Sequence, residues 1–256
     1  MADLPPFRQI FWQSWRDLVF VHWEVDPLEI EALLPRELEP DTFDGRAYVA
    51  LVPFRMTGIR SVWLPPIPGT ARTLETNVRT YVRRRGVAEP IPAVWFFSLE
   101  AETTLAVKVA RGMYGLPYFK ARMRYERTVA AKGVERCDAS SERLWPQPAP
   151  AHSLVVAEFE HGAPFAEAVA GTLEHFLVER YALYARHRGR LTHAVVRHSP
   201  YRIRAGSLRG VDAGLVAAAG VALPQAHASA LVHQAEDVTV RIGAPRVVED
   251  APRVVD

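Results

Sequence analysis

Cysteine is almost absent from this chain of 256 residues, and Cys137 has no second cysteine with which to pair. An intrachain disulfide is therefore excluded, as is typical of proteins from reducing compartments. The sequence also lacks a run of about 18 uninterrupted apolar residues, the length that a membrane helix needs. Residues 1–6 show no positively charged segment leading into an apolar stretch, so we expect no signal peptide. These absences predict a cytoplasmic protein with no membrane partner.

Neither sign of charge dominates the sequence. Lys and Arg together number 31 and Asp and Glu 29, which gives a net charge of +2. The basic run at residues 83–85 precedes a glycine and is typical of a solvated loop. We therefore expect no nucleic-acid partner. With 49% hydrophobic and 23% charged residues, the composition is that of an ordinary globular protein that can bury a core and still enclose a cavity.

The common catalytic and cofactor motifs are missing. The sequence contains neither GxGxxG nor GxxxxGK[ST], so no phosphate-binding loop is predicted. It has no HExxH or CxxC, and its histidines are scattered rather than spaced as metal ligands. No GxSxG elbow surrounds a serine. We expect no metal, no cofactor and no serine or cysteine nucleophile.

Hydrophobic periodicity predicts a chain made mostly of strands. The predicted strands are 18–25, 46–56, 74–83, 93–99, 118–127, 194–203, 228–233 and 238–241. Predicted helices begin at Pro27, cover 103–111 with glycines at the end, and cover 164–187, where apolar residues recur at helical spacing. No linker separates two cores, so we predict one α+β domain of mainly antiparallel strands over residues 1–243. Residues 244–256 lack a core pattern and are predicted to be a frayed tail.

The predicted strand 74–83 has one polar face, which carries Glu75, Asn77, Arg79 and Tyr81. Unpaired charges in a dry core cost several kcal/mol each, so this face borders either bulk water or a wet cavity. Two alternatives remain open. The arginines bind a small anion, since guanidinium groups bind carboxylates bidentately. Otherwise Glu75, Arg79 and Arg111 form a structural ion network.

Eight segments together resemble a known family. They are FVHWEVDP (20–27), DTFDG (41–45), VPFRM (52–56), ETNVRTYV (75–82), WFFSL (95–99), ARGMYGLPYF (110–119), ERY (179–181) and HSPY (198–201). This set resembles the YqjF-like proteins of the acetoacetate decarboxylase-like superfamily, over residues 10–210. The resemblance implies a β-cone or barrel of antiparallel strands, with flanking helices, around a central polar cavity.

The resemblance also identifies a departure from decarboxylase chemistry. In the decarboxylases a lysine after the proline of a Tyr-Pro-Lys-Lys segment forms a Schiff base with the substrate. Here Pro117 is followed by Tyr118 and Phe119, neither of which can form an imine. Lys120 lies two residues further on, a displacement of about 6.5 Å along a strand. We therefore predict no Schiff-base decarboxylation.

The site residues follow from both lines of reasoning. The resemblance aligns Arg16 with a carboxylate-binding arginine and Glu75 with a cavity glutamate. We predict that Glu75, Arg79, Arg111 and Tyr118 converge in one cavity. Asn77 adds a further binding group, and His198 is predicted at the rim.

Two functions are consistent with such a cavity. The first is a protein that binds a small anionic or carboxylate metabolite. The second is a lyase- or hydrolase-like enzyme acting on a small carboxylate, with Glu75 as acid/base, Arg16 or Arg79 as the anion clamp and Tyr118 as proton donor. Homo-oligomer formation is left open.

Overall fold

The computed structural model describes residues 8–62, 72–87, 91–130, 133–146, 150–223 and 225–248. Strands dominate these residues. The strands are β1 Gln9–Arg16, β2 Leu18–Val25, β3 Leu38–Pro40, β4 Ala47–Ser61, β5 Arg72–Arg84, β6 Ala93–Ala101, β7 Tyr118–Ala130, β8 Val134–Trp145, β9 His152–Glu160, β10 Ala166–Glu167, β11 Ala182–His187, β12 Arg190–Arg197, β13 Arg202–Asp212, β14 Leu231–Ala235, β15 Val238–Gly243 and β16 Arg246–Val247. The helices are α1 Pro27–Leu33, α2 Thr104–Tyr114, α3 Leu173–Val178 and α4 Gly214–Ala218. The predicted α+β class is confirmed.

Capping residues in the sequence account for the start of helix α1 and the end of helix α2. Asp26 caps α1 by accepting a 2.8 Å hydrogen bond from the backbone N–H of Leu28, and Pro27 occupies the first turn. Helix α2 continues through Gly112 and ends at Gly115, which adopts a left-handed conformation with φ of 69°. The predicted helix 103–111 is therefore present and is one turn longer at its carboxyl end.

Strand pairing closes the sheet on itself. One closed ring runs through β1, β15, β12, β11, β6, β5 and β4, and back to β1. A second ring leaves β6 through β7, β8, β9, β13, β14 and β2 and returns through β4 and β5. The pairings are antiparallel except at β6–β7 and β6–β11. Strands β4, β5 and β6 are therefore a wall that both rings share.

The shared wall separates two hydrophobic cores. On one side of β5, Phe20, Tyr81 and Val196 belong to a large apolar cluster. On the other side of β5, Val78 packs with Trp23 in a second cluster. Successive residues of a strand point to opposite faces, so β5 contributes alternate side chains to the two interiors.

The predicted long helix over 164–187 is wrong. The structure has β10, the six-residue helix α3, and strand β11 in that region. Gly171, with φ of 89°, lies just before α3, and β11 pairs with both β6 and β12. Helical spacing of the apolar residues is thus outweighed by the sheet pairing that closes the first ring.

The predicted tail is only partly described. Within residues 244–248, β16 pairs with β12 and the Val248 N–H donates to the carbonyl of Leu191. Residues 249–256 lie outside the described residues. Among the residues that are described, no helix has the length and apolar character needed to cross a membrane.

Candidate ligand-binding cavity

A cavity of about 140 Å³ lies inside the first ring of strands. Its wall is mostly apolar, with side chains from β1, β4, β6, β11, β12 and β15, and helix α2 covers it with Ala106, Val109, Ala110 and Tyr114. Polar side chains interrupt this wall at a few places. They are Gln13, Glu75, Asn77, Arg79, Tyr118, Arg180 and Tyr201. An apolar pocket with a few convergent polar groups is the usual form of a small-molecule site.

Strand β5 supplies three of these polar groups through its period-two alternation. Glu75, Asn77 and Arg79 retain only 3%, 4% and 7% of their exposure, so the polar face predicted for this strand points inward. Register sets their neighbours: Phe54 and Val52 of β4 lie opposite Glu75 and Asn77. The predicted alternative of a face bordering bulk water is therefore wrong.

Glu75 and Tyr118 are directly bonded. The Tyr118 hydroxyl donates a 2.7 Å hydrogen bond to Oε2 of Glu75. Burial raises the pKa of Glu75 to about 7, even though the hydrogen bonds from Tyr118 and Asn77 act in the opposite direction. Burial and the adjacent Glu75 raise the pKa of Tyr118 well above its usual value, so the phenol stays protonated.

Arg79 has an unused hydrogen-bonding edge. Its Nε and Nη2 atoms are buried and have no hydrogen-bond partner among the described residues. The guanidinium carbon lies 5.2 Å from the ring centre of Phe20 and 5.8 Å from that of Tyr81. Nε and Nη2 form the edge through which arginine binds a carboxylate bidentately. Because buried polar groups are nearly always satisfied, this edge is a candidate for binding a ligand.

A second buried guanidinium in the cavity is neutralised. Arg180 forms an ion pair with Asp41, and its Nε donates a 2.8 Å hydrogen bond to the carbonyl of Phe176. Nearby, the Tyr201 N–H donates to Glu179 at 2.7 Å. Arg180 is therefore held in place by the protein, whereas Nε and Nη2 of Arg79, which also lines the cavity, have no partner among the described residues.

Three predicted site residues lie outside the cavity wall, and two of them are arginines. Arg16 is half-exposed on the outer face of β1 and pairs with Asp237 at 2.7 Å. Arg111 is exposed on α2, and its Nη1 donates a 2.8 Å hydrogen bond to the Tyr118 carbonyl. The predicted convergence of four residues is thus wrong for Arg111, because α2 turns its Ala110 face, not Arg111, toward the cavity.

The third, His198, lies behind the cavity wall. Its ring stacks on Tyr181 at 4.7 Å and contacts Tyr201 at 4.5 Å, while Nδ1 bonds to the Ser199 carbonyl at 2.7 Å. Burial lowers its pKa, which favours the neutral imidazole. His198 contacts Tyr201 and Trp15, and these two residues line the cavity.

The contacts of the described residues do not form the predicted ion network. Glu75 is bonded to a phenol, and Arg111 to a backbone carbonyl. The buried ion pairs near this site involve other residues: Arg180 pairs with Asp41, and Nη2 of Arg143 lies 2.5 Å from Glu100. Elsewhere in the described part of the chain, no group of three or more His, Cys, Asp or Glu residues is arranged to hold a metal ion.

Several lining residues were missed from the sequence. Gln13 and Trp15 alternate with outward-facing residues on β1, and this pattern could have identified them. Arg180 and Tyr201 stand in the ERY and HSPY segments but were not singled out. Their place in the cavity depends on pairings between distant strands, which local pattern does not specify.

Comparisons with known proteins agree with this architecture. Residues 12–239 match the DUF2071 family, described as an uncharacterized conserved protein (COG2071). The uncharacterized protein YqjF of Bacillus subtilis (strain 168) is 36% identical over 234 residues, covering 91% of this chain and 90% of the relative.

Two solved structures share the fold at low identity. One is an acetoacetate decarboxylase-like enzyme from Sphingomonas wittichii RW1, with a TM-score of 0.60, 15% identity, and 98% of each chain covered. The other is the enduracididine biosynthesis enzyme MppR complexed with pyruvate, with a TM-score of 0.58, 15% identity, and 97% of this chain and 93% of that chain covered.

Proposed function

This chain belongs to the DUF2071 family and has an acetoacetate decarboxylase-like fold, and from that premise we propose that it binds a small carboxylate metabolite in the cavity of the first ring. The observation that carries the proposal is the buried Nε–Nη2 edge of Arg79, which has no partner among the described residues. A carboxylate offers two acceptor oxygens in the geometry of that edge.

The charge of the cavity favours a monoanion. Arg180 is paired with Asp41, which leaves Arg79 as a positive charge that a ligand can neutralise. Glu75 is protonated below a pKa of about 7 and then adds no negative charge. A buried unpaired guanidinium is costly, so a carboxylate that pairs with it gains affinity. The pyruvate held by MppR is likewise a small carboxylate, in a protein of the same fold.

We also propose that binding proceeds without a Schiff base. Tyr118 occupies the position after Pro117, and its hydroxyl is bonded to Glu75. Lys120 donates to the carbonyl of Glu102, and Lys108 is exposed on α2. Neither amine is among the residues that line the cavity. Lys132 lies outside the described residues.

The second candidate function is a lyase- or hydrolase-like enzyme acting on a small carboxylate. The 2.7 Å bond between Glu75 and Tyr118 favours it, because a buried carboxyl with a pKa near neutrality and a phenol donor suit proton transfer. Binding alone requires only Arg79, so we place the binding function first.

Calorimetric titration tests the proposal. Pyruvate, 4-oxopentanoate and 5-oxohexanoate are titrated into the protein, with 4-oxopentanamide as the neutral counterpart. We expect saturable binding of at least one carboxylate and none of the amide. Arg79→Met should abolish binding, whereas Arg122→Gln, at an exposed arginine paired with Glu142, should leave it unchanged. Equal binding of acid and amide, or failure of every acid to bind, would contradict the proposal.

A further inference from the structure

Glu75 and Arg79 form two polar ends of the cavity wall, separated along β5 by Asn77 and its apolar neighbours. Glu75 and Arg79 project from the same face of β5, four residues and about 13 Å apart along the strand. Between them lies Asn77, whose neighbours Val52 and Leu99 are apolar and line the same cavity. A ligand that engages both ends must therefore be longer than a three-carbon acid.

The end at Glu75 is arranged for proton exchange rather than for charge pairing. The described residues bond Glu75 to the Tyr118 hydroxyl and to Asn77, both neutral groups. Asn77 Oδ1 is buried with no hydrogen-bond partner among these residues. The carboxyl can take up and release a proton without breaking an ion pair.

From this arrangement we infer that the protein enolises oxo acids whose ketone lies several carbons from the carboxylate. Arg79 would hold the carboxylate, Glu75 would act as the base, and Tyr118 would donate a hydrogen bond to the ketone oxygen. The inference rests on the proposed function, since the carboxylate must first bind at Arg79.

The enolisation transfers one proton between the ligand and Glu75. The Glu75 carboxylate removes a proton from the carbon next to the ketone, and the electrons of that C–H bond form a C=C bond. The π electrons of the ketone move to its oxygen, which accepts a hydrogen bond from Tyr118. Once protonated, Glu75 is a weaker acceptor for the phenol, so Tyr118 can turn to the ligand. The reverse step returns a proton to carbon, and no oxidant, reductant or co-substrate is needed.

Cavity size limits the substrate class. The volume of about 140 Å³ is close to that of a cavity known to admit benzene, which corresponds to roughly six to eight non-hydrogen atoms. 4-Oxopentanoate combines this size with a ketone removed from the carboxylate, and 5-oxohexanoate is one carbon longer. Pyruvate is too short to reach from Arg79 to Glu75.

Proton NMR in deuterated buffer tests the inference directly. 4-Oxopentanoate and 5-oxohexanoate are incubated with the protein, and the signals of the protons next to the ketone are followed. We expect the wild-type protein to replace these protons with deuterium, and Glu75→Gln to lose at least about 100-fold in rate, as is usual for loss of a general base. Tyr118→Phe should slow exchange at saturation, whereas Arg79→Met should lose exchange because the carboxylate no longer binds.

The controls separate this inference from the proposed function. Arg122→Gln should exchange like the wild type, and 4-oxopentanamide and pyruvate should exchange no faster than in buffer. If the wild-type protein binds the oxo acids by calorimetry but exchanges no deuterium, the enolisation is wrong and the binding function stands. Exchange by Glu75→Gln at the wild-type rate would overturn the role of Glu75. If no acid binds, both proposals fail.

Discussion

The hydroxyl of Tyr118 donates a 2.7 Å hydrogen bond to the carboxylate of Glu75 inside the cavity. Tyr118 stands directly after Pro117, where the sequence resemblance places the Schiff-base lysine of the decarboxylases. In this chain the position is therefore occupied by a neutral donor that is already bonded to the cavity carboxyl.

Arg79→Met should leave the ligand-free protein as stable as the wild type or more stable. The Nε and Nη2 atoms of Arg79 have no partner among the described residues, so the substitution removes a buried charge without breaking a bond from that edge. Replacing buried charges by apolar groups of similar volume is often neutral or stabilising. Chemical denaturation measures the change. A loss of about 3 kcal/mol or more would show that Arg79 belongs to a structural ion pair instead.

Glu75→Gln should gain stability relative to the wild type as the pH rises. The pKa of Glu75 is about 7 in the folded protein and 4.5 in its unperturbed state. Between these values the folded state retains a proton that the unfolded state has lost, so the free energy of unfolding of the wild type falls as pH increases. The shift corresponds to about 3 kcal/mol, fully present below about pH 4.5 and lost above about pH 7.

Denaturation at several pH values checks this prediction as a difference between the two proteins. His22, His198 and His233, whose pKa values are lowered by burial, contribute in the opposite direction in both proteins and cancel from the difference. The exposed Glu142→Gln serves as the control and should show no such trend. A pH-independent difference for Glu75→Gln would mean that Glu75 is ionised throughout.

Borohydride reduction in the presence of acetoacetate should leave the mass of the protein unchanged. Tyr118 cannot form an imine, and the described lysines, Lys108 and Lys120, are not among the cavity-lining residues. Intact-mass spectrometry detects any adduct, with an authentic acetoacetate decarboxylase as positive control. A stoichiometric adduct, mapped to any lysine of the chain, would restore a Schiff-base mechanism.

Gly115→Ala should destabilise the protein by more than about 1 kcal/mol, because the residue has φ of 69° and a Cβ there would lie 2.5 Å from the Arg186 carbonyl. Gly112→Ala is the matched control. It lies within α2, and a Cβ added there would meet nothing within 4 Å, so it should be neutral or stabilise the helix by up to about 1 kcal/mol. Thermal unfolding compares the two. Similar midpoints would show that the turn before Tyr118 tolerates a side chain.

The elements predicted well from the sequence are those whose local pattern agrees with their place in the fold. The strand 18–25 and the inward polar face of β5 are examples, since alternation alone fixes which residues share a face. The helix predicted over 164–187 failed because β11 gains its stability from pairing with β6 and β12, which are distant in sequence. Strand β8 and most of β13 were missed because polar and small residues dilute their pattern. Strand β9, with the sequence HSLVVAEFE, was missed although its apolar and β-branched residues are typical of a strand.

The residues of the candidate site that were predicted correctly are likewise those whose position depends on local pattern alone. Glu75, Asn77 and Arg79 were identified because one strand carries all three. Arg16 and Arg111 were misplaced because each directly follows a lining residue, Trp15 or Ala110, and its own side chain points away from the cavity. Arg180 lies in the cavity wall because the first ring of strands closes and because Arg180 pairs with Asp41. The two residues of this ion pair are 139 positions apart in the sequence. No local signal anticipates that contact.

The position of β5 in a wall between two interiors restricts how this region can change during evolution. Substitutions on one face leave the side chains of the other face in place, so the ligand site and the second core can vary independently. An insertion or deletion of one residue within β5 would instead exchange the two sets. Glu75 and Arg79 would then enter the apolar cluster around Val78 and Trp23, while Leu74 and Val78 would fill the cavity. Length variation among related chains should therefore be confined to the loops at either end of this strand.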